Sequence, residues 1–200
     1  MLDPPRPDPP RPNSPSPDSP SLGPPRDRTI VLVGLMGVGK SSIGKRLASA
    51  LNLPFRDADT EIEAAAGRSI ADIFAERGEA EFRDGERRVI ARLLEQPPHV
   101  LATGGGAFMQ EQTRKLILER AVAIWLKADL EVLARRVSRK DTRPLLVGRD
   151  PMAVLTAQAE ARYPHYAEAH ITVDTGDAPH GATVNAVLRA LERHARKADA

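Results

Sequence analysis

The chain reads as an α/β domain, a mainly parallel sheet flanked by helices, on three observations. Short apolar runs alternate with longer stretches of helical periodicity from residue 29 onward. The apolar run Thr29-Ile30-Val31-Leu32-Val33 leads straight into Gly34-Leu35-Met36-Gly37-Val38-Gly39-Lys40-Ser41, which fits G-x-x-x-x-G-K-[ST]. A helical pattern with Ile43, Leu47, Ala50 and Leu51 follows at once. Strand, glycine-rich turn and helix N-terminus in that order are the context that gives the motif its meaning.

The remaining elements follow in order. A short second strand is expected to end at Arg56–Asp57, followed by helices over 60–76 and 79–95. A third strand over His99–Thr103 precedes a helix at 111–119, and a fourth over Ala121–Leu126 precedes one at 129–138. Asp150 before Pro151 reads as N-cap and first helical residue of a helix over 151–168. A fifth strand, Ile171–Val173, leads to a last helix over 181–196, where Val184, Val187, Leu188 and Leu191 repeat at helical spacing and face the core. No internal repeat is evident.

Composition bounds the function classes. Two hundred residues at 41% hydrophobic content suffice for one sizeable core. Eleven of the 18 prolines fall between Met1 and Pro25, in a segment nearly without large apolar side chains, so burial cannot offset the entropy of ordering it. Residues 1–27 are therefore expected to be a disordered tail, with Pro-Pro-Arg-Pro and Ser-Pro-Ser-Pro favouring polyproline II, and residues 28–200 to be the domain. There is no long apolar leader and no run of eighteen apolar residues, so a cytoplasmic protein without a membrane partner is expected. The absence of cysteine removes disulfides, thiolate metal sites and cysteine nucleophiles. Net charge is +2, with basic and acidic residues interspersed and aromatics at 4%, which gives nucleic-acid binding little support. Small anionic substrates fit better, and a monomer is expected because no apolar face is obvious.

The chemistry starts at the glycine motif. Its glycines let backbone N–H groups turn toward phosphate oxygens, and the helix N-terminus adds partial positive charge. Lys40 is placed to reach the β- and γ-phosphates and Ser41 to put its hydroxyl on a Mg²⁺ bridging them. Ligands of open parallel sheets sit beyond the carboxyl ends of the strands. Asp57-Ala58-Asp59 follows the second strand and Thr103-Gly104-Gly105-Gly106 the third. Residues i and i+2 of extended chain share a side, so Asp57 and Asp59 are both expected in the cleft, one serving metal and the other substrate. Three glycines let a substrate lie against bare backbone. Arg83, Arg143 and Arg162 come from three separate segments, and guanidinium forks match carboxylate and phosphate oxygens. Arg139, Lys140, Arg143 and Arg149 around Gly148 make residues 138–150 a candidate cationic lid. Neither Lys127, at the end of the fourth strand, nor the glycines after the third supply a Walker-B aspartate, which argues against a GTPase or motor ATPase.

Taken together, GLMGVGKS (34–41), DADTEIE (57–63), FRDGE (82–86), ATGGGA (102–107), RPLL (143–146) and ARYPHYAEA (161–169) make the chain strongly similar to the shikimate kinase family across almost all of residues 29–175. The resemblance implies a P-loop nucleoside-monophosphate-kinase-like three-layer fold with sheet order 2-3-1-4-5. It also implies ATP-dependent phosphorylation of the shikimate 3-hydroxyl with Mg²⁺, a step toward chorismate and the aromatic amino acids. By the same resemblance Gly37, Val38, Gly39, Lys40, Ser41 and Ser42 form the ATP phosphate cradle, with Ser41 and Asp57 holding Mg²⁺. Asp59 binds the shikimate hydroxyls and orients or deprotonates the nucleophile. Arg83 and Arg162 clamp the carboxylate, with Gly105 and Gly106 adding backbone contacts. Arg143 neutralises the transferred group, and Arg139 and the Asp174-Thr175-Gly176 loop lie on the adenine side. A gluconate-type metabolite kinase and a non-catalytic sensing domain are the alternatives. The arginine pair argues against the first, and the retained Asp57, Asp59 and RPLL against the second.

Overall fold

The strand before the glycine motif, β1 (Thr29–Val33), is buried along its whole length, as an apolar strand at the centre of a parallel sheet must be, and its one polar side chain, Thr29, pairs with His99. The computed structural model describes residues 27–138, 150–177 and 179–198. The expectations for the tail up to residue 26, and for Arg139, Arg143 and the rest of the segment 139–149, lie outside the described residues. The chain continues through α1 (Lys40–Leu51), β2 (Phe55–Asp57), α2 (Ala58–Ala66), α3 (Ile70–Leu94) and β3 (Val100–Ala102). A 3₁₀ turn at Ala107–Met109 precedes α4 (Glu111–Arg120), β4 (Ala121–Lys127), α5 (Leu130–Ser138), α6 (Pro151–Tyr166), β5 (Ile171–Asp174) and α7 (His180–Ala198).

All strand pairings are parallel and the order is β2-β3-β1-β4-β5, the order the family resemblance implies. β1 pairs with β3 on one side (Val31 opposite Leu101) and with β4 on the other (Val31 opposite Ala123). Helices layer the sheet, with α1 packed on α7 and α3 on α4. The main core joins Ile30, Leu32, Leu47, Leu101, Ile124, Phe108 and Tyr166. A smaller cluster of Ile62, Ile73 and Phe82 locks α2 to α3.

The helix expected over 60–76 is two helices. Gly67, at φ 66°, closes α2 in the left-handed conformation that glycine adopts without strain. Ser69 then caps α3, its Oγ accepting from Asp72 N at 3.1 Å. The break expected before residue 79 is real: Gly78 (φ 78°, ψ 175°) leaves helical backbone and divides α3 into two helical segments.

Two consequences can be measured. Gly34 has φ 141°, and a Cβ there would stand 2.5 Å from the Leu126 carbonyl oxygen of β4. Both backbone strain and overlap with an immovable carbonyl oppose a side chain, so Gly34→Ala is expected to destabilise the domain by about 1–3 kcal/mol. A urea midpoint equal to wild type would refute that close approach. At the other end of β4, Ala123 N donates to His170 Nδ1 at 3.0 Å. Burial, then His194 and Arg28, hold the His170 imidazole below its ordinary value of 6.5. The unfolded chain therefore takes up its proton first, so this contribution is complete above about pH 6.5 and is lost as pH falls through the lower folded value. Gln at 170 keeps an acceptor but cannot titrate. His170→Gln is expected to shrink the drop in Tm between pH 7.5 and pH 5.5. His99, also lowered by burial, keeps part of the slope; an unchanged slope in the variant would remove His170 from this role.

Candidate active site

The glycine motif wraps the N-terminus of α1 as the sequence predicts. Gly37 (φ 81°) and Gly39 (φ 96°) both have left-handed backbone, and Gly39, the N-cap of α1, brings no side chain to the helix end. A glycine-capped helix N-terminus of this kind suits an anionic ligand. Lys40 Nζ donates to the carbonyls of Gly34 (2.8 Å) and Leu35 (3.1 Å), folding back over its own loop. A cleft of about 590 Å³ opens here, lined by Gly37, Gly39, Lys40, Ser41, Ser42, Asp57, Asp59 and Thr103–Gly105, with Arg136 and His180 at its far side.

Asp57 and Asp59 both line the cleft, but not through strand alternation. Asp57 ends β2, whereas Asp59 is already in α2; Asp57 caps that helix, its Oδ1 accepting from Asp59 N at 3.2 Å. The other Asp57 oxygen accepts from Ser41 Oγ at 2.7 Å. Burial, then the Asp57 charge, pushes the Asp59 carboxyl above the ordinary carboxylate value, while Lys40 and Arg83 oppose. The Ser41–Asp57 pair is a hard oxygen set. Among the described residues no cluster of three or more His, Cys, Asp or Glu could hold a metal. A site this sparse suits a cation that keeps most of its water and takes the rest of its ligands from phosphates, the habit of Mg²⁺.

The glycine turn after β3 gathers Asp59, Glu86, Arg162 and Arg83. Thr103 Oγ1 donates to Leu32 O at 3.0 Å and pins the start of the turn to β1. A Cβ on Gly104 would lie 2.9 Å from Asp59 Oδ1 and 3.2 Å from Glu86 Oε1, and one on Gly105 would lie 3.1 Å from Arg162 Nη1. On Gly106 it would run into the Arg83 guanidinium. Arg83, on α3, is held by Glu86 Oε2 at 2.7 Å and by Glu79 at 3.3 Å. Arg162, on α6, donates to Gly105 O at 3.2 Å. The two guanidinia therefore flank one strip of bare backbone, with Asp59 beside it.

Four groups at the site escaped the sequence reading. Glu86 is 1% exposed and burial raises its carboxyl despite Arg83, yet only its i+3 spacing from Arg83 signalled a pairing. Tyr166 donates to Gly105 O at 2.6 Å. Arg136 lines the cleft and donates to Gly176 O at 2.9 Å, in the loop expected on the adenine side, three residues before Arg139; Arg135 meets the same loop at Asp177. His180, the first residue of α7, lies on the same side; nothing local in the sequence marked it.

A phosphate loop on β1 of a 2-3-1-4-5 parallel sheet, facing an arginine-flanked glycine turn, places the molecule among the P-loop phosphotransferases of nucleoside-monophosphate-kinase-like fold. Residues 36–192 match the model of the shikimate kinase family. The shikimate kinase of Caulobacter vibrioides is 70% identical over 172 residues, covering 86% of each chain. That of Zymomonas mobilis is 57% identical over 169 residues, covering 84% of this chain and 96% of its own. The chain belongs to the shikimate kinase family. The solved structure of shikimate kinase from Acinetobacter baumannii in complex with shikimate superposes with a TM-score of 0.77 at 36% identity, over 81% of this chain and 91% of that one. A gluconokinase from Sinorhizobium meliloti shares the fold, at a TM-score of 0.62 and 23% identity, over 86% of this chain and 95% of its own.

Proposed function

We propose that the chain transfers the γ-phosphoryl group of ATP to the 3-hydroxyl of shikimate, giving shikimate 3-phosphate and ADP. The observation that supports this most directly is the approach of Arg83 and Arg162 to Gly106 and Gly105 of one turn, beside Asp59 and within reach of the phosphate loop. A ring bearing a carboxylate and hydroxyls meets complementary groups there: guanidinia for the carboxylate, Asp59 for the hydroxyls. At 23% identity the likeness to the gluconokinase carries the fold alone.

The new bond joins the 3-oxygen to the γ-phosphorus as the β–γ bridge breaks, and Asp59 takes the hydroxyl proton. Burial and the Asp57 charge raise the proton affinity of Asp59 in the direction a general base needs. Gly37, Val38, Gly39 and the start of α1 hold the phosphates, and Lys40 exchanges the carbonyls of Gly34 and Leu35 for phosphate oxygens. Ser41 and Asp57 would hold Mg²⁺, which neutralises phosphate charge when bound. Arg143 is assigned to the transferred group and Arg139 to the nucleotide side on motif resemblance, and Arg136 joins the nucleotide side on its place in the cleft. Little covalent work is needed; positioning and charge neutralisation supply the rate. We further assign a monomeric, cytoplasmic protein. Among the described residues Phe74, at 36%, is the large hydrophobic side chain that stands exposed, and no helix is long and apolar enough to cross a membrane.

The test is ADP release with Mg-ATP and shikimate, quinate, gluconate or no acceptor, with product mass measured. Shikimate alone is expected to drive ADP formation strongly and to gain one phosphoryl group; gluconate-driven turnover, or ATP binding with no turnover, would overturn the assignment. Asp59→Asn is expected to bind ATP nearly as wild type while turnover falls by roughly 10²–10⁴-fold, the usual contribution of a general base. Wild-type turnover at saturating shikimate would remove Asp59 from that role. Lys40→Met should fold normally and lose transfer, as judged by single-turnover ADP formation at saturating Mg-ATP.

A further inference from the structure

Two donors meet at one carbonyl beside the proposed acceptor position. Gly105 O accepts from Tyr166 O–H at 2.6 Å and from Arg162 Nη1 at 3.2 Å. Arg162 and Tyr166 are four residues apart on α6, one helical turn, so they present to the glycine turn from the same helix face. A carbonyl oxygen has two lone pairs, and here both are engaged.

Arg162 spends one Nη1 hydrogen on Gly105 O, so an acceptor carboxylate that draws the whole fork toward itself competes with that bond. When it turns, a part-buried carbonyl loses one partner. If it lost both, the cost would fall on acceptor binding, because an unsatisfied buried acceptor is far more unfavourable than a made hydrogen bond is favourable. Tyr166 is built to stay. It is 0% exposed, and its ring packs against Phe108 (centroids 6.3 Å apart) and Trp125 (5.9 Å), so the hydroxyl has no other place to swing. Burial pushes its phenol up to about 12, so it remains a donor at any working pH.

We infer that Tyr166 is a positioning residue for the acceptor site: its hydroxyl holds the Gly105 carbonyl, fixing the glycine turn and leaving Arg162 free to exchange that carbonyl for the acceptor carboxylate. The inference rests on the proposed shikimate reading. It adds a group that touches no substrate but sets how readily the substrate is held. Without the hydroxyl, Arg162 is kept at Gly105 as its remaining donor, and acceptor binding must compete with that bond.

Tyr166→Phe removes the hydroxyl and keeps the ring in its packing. The expected result is a KM for shikimate raised roughly 5–50-fold, with KM for ATP and kcat close to wild type. Because the effect acts through Arg162, the same change made in an Arg162→Ala background is expected to leave the KM for shikimate where Arg162→Ala alone puts it. A merely structural role would lower Tm and add its effect in both backgrounds. Wild-type KM for shikimate in Tyr166→Phe, or an equal rise in both backgrounds, overturns the inference while leaving the shikimate assignment intact. Absence of shikimate-dependent ADP from the wild-type protein in the same assay overturns both.

Discussion

The cleft is assembled at one end of the sheet, and that end is set by the parallel pairing of β1 with both β3 and β4. Pairing in this sense sends the chain out at the same edge after Val33, Ala102 and Lys127. The tightest approach of backbone to a glycine among the described residues is where β1 gives way to the phosphate loop, with Gly34 against the Leu126 carbonyl. Any side chain there would push the loop away from the sheet. The Thr103 hydroxyl fixes the neighbouring exit to Leu32 O, so the phosphate loop and the glycine turn are held by the same strand. Distances between groups of the phosphate loop and groups of the glycine turn are in this way a property of β1 and its two partners.

Glycine is used here for approach as much as for turning. Gly104, Gly105 and Gly106 each leave room for a charged group where a Cβ would collide or crowd: Asp59 and Glu86, then Arg162, then Arg83. Opposite charges converge on a strip of backbone that offers no bulk of its own. Burial opposes the ionised forms of Asp59 and Glu86, and the nearby cations oppose burial. The second Glu86 oxygen, buried as well, faces Gly104, where a Cβ would lie 3.2 Å from it.

Local signals were legible where local chemistry decides. Glycines that must take positive φ, the capping Asp150, and the apolar runs of β1 and β4 all have causes within a few residues of themselves, and the corresponding elements stand where the pattern places them. The helix over 60–76 was misjudged because its apolar spacing continues past Gly67. A left-handed glycine followed by a serine cap outweighs periodicity over so short a gap. The sheet order was not legible from periodicity at all and came from resemblance, since parallel pairing places no residue of one strand near its partner in sequence.

By itself the sequence determined the phosphate loop, its lysine and serine, the two aspartates after β2 and the family to which the chain belongs, because each is written in contiguous motifs whose chemistry depends on spacing. Only the tertiary structure decided which groups share the glycine turn. Arg83 is fixed by Glu86 on its own helix, but Arg162 and Tyr166 reach Gly105 from 57 and 61 residues away, and Arg136 reaches Gly176 from 40. Such contacts depend on how α3, α5 and α6 pack around the sheet, and a hydrogen bond made across packed elements leaves no periodic trace in the chain that makes it.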